Sequence, residues 1–193
     1  MADMLKQQEQ QQESDQWLVT RTLENKQAFA AIVQRYEAPL LRYIQRLGCR
    51  DSAAAQDLLQ EIFIKAYLHL NDYDPSLQFS SWIYRIAHNE IVSSFRKEKS
   101  RPGVLTKEAN LFLFENIADD TDLAVLERQM HSPEEIESAV ERLEVKYRDV
   151  IVLKFFEEKS YEEISDILQI PEGTVATLIN RAKKKLKFFL EKS

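Results

Sequence analysis

Apolar residues recur at helical spacing through most of the chain. From Gln16 to about Leu47 they fall at Leu23, Phe29, Ile32, Val33, Tyr36, Leu40, Leu41, Ile44 and Leu47, close to a 3.6-residue period. One helix is predicted there, with Pro39 as a point of kink or break. Gly48-Cys49-Arg50-Asp51 reads as a turn. From Ala53 to Leu70, the residues Ala55, Leu58, Leu59, Ile62, Phe63, Ala66 and Leu70 share one face of a helix. Asp57, Gln60 and Glu61, spaced i, i+3 and i+4, cluster on the other side. Asn71 to Ser76 is a loop by composition. A further helix begins at Ser80 or Ser81 and carries Trp82, Ile83, Ile86, Ala87, Ile91, Val92 and Phe95. It runs into the basic stretch Arg96-Lys97-Glu98-Lys99 and stops before Pro102-Gly103. Trp82 and Ile86 are spaced as an apolar stripe, which makes Trp82 a core residue.

The pattern resumes at Ser132-Pro133-Glu134-Glu135, an N-cap followed by Pro at the first helical position and a capping-box Glu. Two helices are expected, Pro133 to about Glu144 and Lys146 to about Glu157. Their apolar positions are Ile136, Val140 and Leu143, then Val150, Ile151, Leu153 and Phe155. Ser160 and Glu163 form a second capping box, and Ile164 and Leu168 lie one turn apart behind it. Gln169-Ile170-Pro171 is a stop, because Pro disfavours helix at the residue before it. A longer helix then starts near Glu172 and ends in Arg181-Ala182-Lys183-Lys184-Lys185-Leu186-Lys187. Two helices joined in this way form a helix-turn-helix, whose second helix enters a DNA major groove.

Composition agrees with an all-α protein, since only 3 Gly and 5 Pro interrupt 193 residues. The chain divides into a Gln-rich tail (1–15), a first helical domain (16–99), a linker (100–132) and a second helical domain (133–193). Asp119-Asp120-Thr121-Asp122 is a solvated acidic run, whereas Leu111-Phe112-Leu113-Phe114 is apolar enough to dock on something. No apolar run approaches the ~18 residues of a membrane span, and the amino terminus lacks the apolar segment of a secretory signal. A cytoplasmic protein without membrane insertion is expected. The single Cys49 forms no internal disulfide framework, and His69, His88 and His131 are scattered. The expectation is therefore no metal and no cofactor.

Charge changes the picture. The net charge is −6, divided along those four segments as −3, +2, −3 and −2. Affinity for DNA comes largely from neutralised phosphates. Neither helical domain is basic enough to hold duplex DNA tightly by itself, so a partner must supply much of the affinity.

In this order the segments resemble a bacterial RNA polymerase sigma factor of the extracytoplasmic-function (ECF) type, the short kind with only the second and fourth conserved regions. In the first domain the resemblance is carried by Ala28-Phe29, Arg35-Tyr36, the run Asp57 to Tyr67 and the run Phe79 to Asn89. In the second it is carried by Ser160 to Ile164, Pro171 to Val175, and Arg181-Ala182. The resemblance implies a non-enzymatic subunit that directs core polymerase to promoters. It implies that Asp57, Gln60 and Glu61 grip the β′ clamp helices, and that the second domain meets the β flap. The loop Asn71-Asp72-Tyr73 would receive a base flipped from the −10 element, with Tyr73 as a stacking platform. Arg85, Asn89 and Ser93 would face −10 DNA. Thr174, Ala176, Thr177, Asn180, Arg181 and Lys184 would face the −35 element. Such relatives are commonly held by an anti-sigma factor, which makes one a candidate partner.

The chain departs from the family pattern at several positions. Ala54 and Gln56 stand where acids often precede Asp57, and Ala176 and Leu178 stand where basic residues are usual. An Arg introduced at 178 is therefore expected to add a phosphate contact. Gln169 occupies a turn position often taken by Gly. The alternative is a stand-alone helix-turn-helix regulator, which leaves the Asp57–Phe63 and Phe79–Asn89 segments without a purpose. A small helical enzyme would need partners for Asp57 and Glu61 that the sequence does not offer.

Overall fold

The computed structural model describes residues 14–99 and 132–191. The Gln-rich tail up to residue 13, the segment Leu111 to Phe114 and His131 lie outside the described residues. Those that are described form helices and turns only, in two four-helix units. The first contains α1 (Asp15–Glu24), α2 (Phe29–Arg46), α3 (Ser52–Leu68) and α4 (Phe79–Lys99); the second contains α5 (Pro133–Glu141), α6 (Val145–Ile151), α7 (Tyr161–Leu168) and α8 (Glu172–Leu190).

The stretch expected as one helix from Gln16 to Leu47 is two. Asn25 sits at φ −138°, ψ 108° and its side chain accepts from the Gln27 N–H, which ends α1 and starts a short 3-10 turn at Lys26–Ala28. An Asn side chain competing for backbone donors explains the break. Pro39, by contrast, lies inside α2, which continues through it. α1 is held by Asp15, which accepts from the Tyr36 hydroxyl at 2.5 Å and from Arg35 at 2.8 Å.

The expected apolar faces make the core of each unit, except that Leu23 is left 51% exposed while Leu18 and Val19 of the same helix are buried. Ile32, Leu40, Ile44, Ala55, Ile62, Ala66 and Ile83 are fully buried in the first, and Val150, Ile151, Leu153, Ile164, Val175 and Ile179 in the second. Trp82 is buried among Tyr73 and Phe79, as its spacing predicts. Both capping boxes form, Ser132 with Glu135 and Ser160 with Glu163. The helix expected to end near Glu157 stops at Ile151 and passes into a π-helical turn, Val152–Phe156, closed by the Glu157 N–H to the Val152 carbonyl. Such turns shift the register of the residues after them and often occur at working positions.

The two units pack on each other, with α4 lying along α7. Gly48 adopts φ +121° at the α2–α3 turn, where a Cβ would lie 3.2 Å from Nη1 of Arg148. That guanidinium crosses from α6 to donate to the Leu47 carbonyl, so the turn needs glycine for both its conformation and the close approach.

Candidate polymerase and nucleic-acid interfaces

Asp57, Gln60 and Glu61 are all exposed on α3, opposite the buried Leu58, Leu59 and Ile62. Among the described residues neither acid has an ion-pair partner, while Lys65, one turn further on, is drawn to Glu90 of α4. The helix thus presents an uncompensated acidic-polar patch over a rigid apolar base.

The loop after α3 splits the expected site. Asn71 and Asp72 are exposed, and Asp72 pairs with His69 at 2.9 Å. Tyr73 is not an open platform. It is 6% exposed, its hydroxyl donates to the Leu77 carbonyl at 2.5 Å, and its ring meets Phe79 and Trp82 at centroid distances of 5.3 and 5.6 Å. An aromatic ring gains more from this cluster than from water, so Tyr73 supports the loop from beneath.

Arg85, Asn89 and Ser93 follow one another at i, i+4 and i+8 on α4; Asn89 is exposed and the other two are half-buried. Arg85 lines a small cavity with Leu77, Gln78, Ser81, Trp82 and, from α7 of the second unit, Asp166. The Ser81 hydroxyl is buried there without a hydrogen-bond partner.

The α8 helix divides cleanly. Val175, Leu178, Ile179, Ala182, Leu186 and Leu190 are buried. Thr174, Ala176, Thr177, Asn180 and Arg181 are partly exposed and Lys184 is exposed. The Thr177 hydroxyl returns to the Gly173 carbonyl at 2.8 Å. Leu178 is therefore misplaced in the sequence reading: at 5% exposure it belongs to the core, and an Arg there would not reach a phosphate. Its own spacing with Val175, Ala182 and Leu186 carries that signal. Gln169 does take the left-handed conformation, φ 56°, ψ 45°, at the end of α7, and its amide donates to the Asp166 carbonyl at 2.7 Å.

Sequence reasoning missed the polar residues between the units. Glu157, at the end of the π-helical turn, accepts from Tyr84 of α4 at 2.6 Å and from Arg46 of α2 at 3.2 Å. Arg46 also stacks over Phe156 at 4.5 Å. Ser80 bonds Lys159 at 3.0 Å and Glu163 at 3.3 Å. A third contact is His88 of α4 with Asp149 of α6, Nε2 to Oδ2 at 3.9 Å, while the His88 Nδ1 meets the Tyr43 hydroxyl at 3.2 Å. Burial draws His88 down to about 4 and pushes Asp149 up to about 7, against the pull of Arg148. Burial, followed by the bond to Glu157, raises Tyr84 far above its ordinary range, so it stays a donor.

Residues 32–101 match the family model Sigma-70 region 2, and residues 134–186 match Sigma-70, region 4. The ECF RNA polymerase sigma factor SigW of Bacillus subtilis is 36% identical over 166 residues, covering 83% of this chain and 87% of its own length. The RNA polymerase sigma-H factor of Pseudomonas aeruginosa is 34% identical over 180 residues, covering 90% and 92%. Among solved structures, the fold is similar to CnrH in complex with the cytosolic domain of CnrY, with a TM-score of 0.68 at 24% identity over 93% of this chain and 98% of that one. It is also similar to the sigma factor RpoE in complex with the anti-sigma factor NepR from Bartonella quintana, with a TM-score of 0.64 at 20% identity over 84% and 96%. The capping boxes, the α3 patch and the two-faced α8 are thus features of a chain that belongs to the ECF-type RNA polymerase sigma factors.

Proposed function

We propose that the first unit holds core polymerase and the −10 element, that the second reads the −35 element, and that residues 100–132 join them. The observation that carries the first assignment is the exposed, unpaired patch of Asp57, Gln60 and Glu61 on a helix whose other face is fully engaged in the core. Exposed charges with no partner of their own have no internal contact to give up and steer and orient a basic surface, and the β′ clamp helices would be that partner. Asn71 and Asp72 would meet the flipped −10 base directly, Asn71 offering both a donor and an acceptor, and Tyr73 would hold their loop in place. Arg85, Asn89 and Ser93 would follow the adjoining strand. Thr174, Ala176, Thr177, Asn180, Arg181 and Lys184 would face the −35 duplex, with residues near the start of α8 nearest the bases.

The weak net charge of each segment supports a division of labour in which polymerase supplies much of the DNA affinity. The chain makes and breaks no bond in this scheme, and the cytoplasm is where it would act; no described helix is long and apolar enough to cross a membrane. One of the solved neighbours is bound to an anti-sigma factor, which supports a regulator of that kind here. The direct test is Asp57→Arg with Glu61→Arg. Both positions are exposed, so helix content should stay at the wild-type level. Co-purification with core polymerase should fall at least tenfold. Undiminished polymerase binding by the folded double variant would remove the patch from the interface.

A further inference from the structure

We infer that the start of α1 takes part in promoter opening: Asp15 and Gln16 are positioning residues that set where the loop between α3 and α4 presents its −10 base site. The inference rests on the promoter reading above. It concerns residues that lie ahead of the 32–101 segment matched by the region 2 model.

The loop is a compact turn whose own bonds join it mainly to itself. The Leu77 N–H donates to the Asp74 carbonyl at 3.0 Å, and the Ser76 N–H donates to the Asp74 side chain at 2.9 Å. The Tyr73 hydroxyl closes the turn on the Leu77 carbonyl. These bonds hold residues 73–77 to one another. They do not fix where the turn sits on the unit, and Asn71 and Asp72 stand immediately ahead of it.

Contacts from α1 do fix it. The helix packs against the 3-10 turn Leu70–Asp72 and against α4. In its first turn the Gln16 amide donates to the Pro75 carbonyl at 3.2 Å, across 59 positions of the chain. Beside Gln16, the Asp15 carboxylate accepts from the Tyr36 hydroxyl and from Arg35 of α2. Burial, followed by that bond to Asp15, raises Tyr36 far above its ordinary range, so it stays a donor. The Tyr36 ring lies edge-on to Phe79 at 5.6 Å, and Phe79 lies edge-on to Tyr73 at 5.3 Å. Asp15 thus pins the first turn of α1 to α2, and Gln16 reaches from that fixed point to the loop.

Stability and positioning separate at this point. The buried Leu18, Val19 and Thr22 hold α1 on the unit, whereas the bond from Gln16 to Pro75 is exposed and water can take its place. Breaking it costs the fold little. A base site is more demanding, because the edge of a flipped base is held only at hydrogen-bond distance. Apparent affinity for the base then falls with the fraction of loops in the competent position. A purely structural α1 would show in the melting temperature of the protein. A positioning α1 shows in promoter opening while that temperature stays the same.

The test uses the full chain with core polymerase on a promoter fragment mapped from its transcript 5′ ends. Gln16→Met keeps the bulk of the side chain and removes the donor; it should melt as wild type and bind core polymerase as wild type. Permanganate reactivity of −10 thymines should nevertheless appear at least ~3-fold more slowly, as the competent fraction of the loop falls. Tyr36→Phe should add to that loss, whereas Asp15→Asn, which still accepts from Tyr36, should open promoters nearly as wild type. The same fragment with its −10 segment already unpaired by mismatches should largely restore transcription by Gln16→Met. Wild-type opening by Gln16→Met with Tyr36→Phe, or a defect that the unpaired fragment does not relieve, would overturn the role of α1. Failure of the promoter reading would look different: Asn71→Ala with Asp72→Ala would then open promoters at the wild-type rate.

Discussion

The two helices assigned to DNA, α4 and α8, are both amphipathic, yet they stand differently in the molecule. The α8 helix has one packed side, with Val175, Ile179, Ala182 and Leu186 inward and Thr177, Asn180, Arg181 and Lys184 outward. Its polar side is exposed without any other part moving. The α4 helix is packed on two sides, by α2 and α3 of its own unit and by α7 of the other. Its residues Arg85 and Ser93 are half-buried, and Ser81 is buried without a partner. A reading surface on α8 is therefore a property of one unit, whereas a reading surface on α4 depends on how the two units are arranged.

The sharpest way to break this comparison is at position 178. Leu178→Arg should place an unpaired charge in the α8 core and cost more than about 3 kcal/mol, unfolding the second unit in a thermal melt. Thr177→Arg, one residue away and partly exposed, should melt as wild type and steepen the salt dependence of duplex binding by a slope of about 0.9. The reverse pair of results would mean that the faces of α8 are exchanged.

Tyr73 tests the first unit in the same way. Tyr73→Ala removes a buried ring from Phe79 and Trp82 and should cost about 3 kcal/mol in urea denaturation. Tyr73→Phe keeps the ring, loses the bond to the Leu77 carbonyl and should cost about 1 kcal/mol. If Asn71 and Asp72 hold the flipped base, Tyr73→Phe will still open promoters, as read by permanganate reactivity of −10 thymines. A stable Tyr73→Phe protein that fails to open them would put the phenol itself in the pocket.

Acid sharpens the comparison by reaching the far side of α4. Asp149 is raised from 3.8 to about 7 by burial, so its contribution to stability is complete below pH 4 and drains away as pH rises through 7. His88 is lowered from 6.5 to about 4, so its contribution is present above pH 6.5 and is lost as pH falls toward 4. Between pH 4 and 6.5 the two oppose each other and largely cancel. Single replacements should separate them. His88→Gln should gain stability from pH 7 to pH 5, and Asp149→Asn should lose it, each by at most about 1.4 kcal/mol per pH unit. Urea midpoints at the two pH values will read the signs.

The smallest effect belongs to the turn. Gln169→Gly relieves a left-handed residue at the end of α7 and should stabilise the second unit by about 0.5–1 kcal/mol, with no change in the face of α8.

The features legible in the sequence and those hidden from it divide along the range of the interactions. The capping boxes and the apolar faces depend on residues within a few positions of one another, and the spacing of Ser160 and Glu163 alone predicts a helix start. The break at Asn25 and the continuity through Pro39 are harder, because each sets a local preference against packing that periodicity does not weigh. Leu178 is legible as core from its own stripe, and family position pulls the reading the other way. The burial of Tyr73 rests on rings six and nine residues on, which a loop composition does not reveal. The bonds of Glu157 to Tyr84 and Arg46 join residues 73 and 111 positions apart, with no pattern in either segment pointing to the other.

The central claim is that this chain directs core polymerase to a particular set of start sites. The most direct measurement is transcription in vitro from fragmented genomic DNA by core polymerase, with and without the protein, followed by sequencing of the RNA 5′ ends. The account predicts discrete ends that require the protein, each preceded by a shared pair of sequence elements at a fixed spacing, and lost with Asp57→Arg/Glu61→Arg. An unchanged set of ends with and without the protein would contradict it.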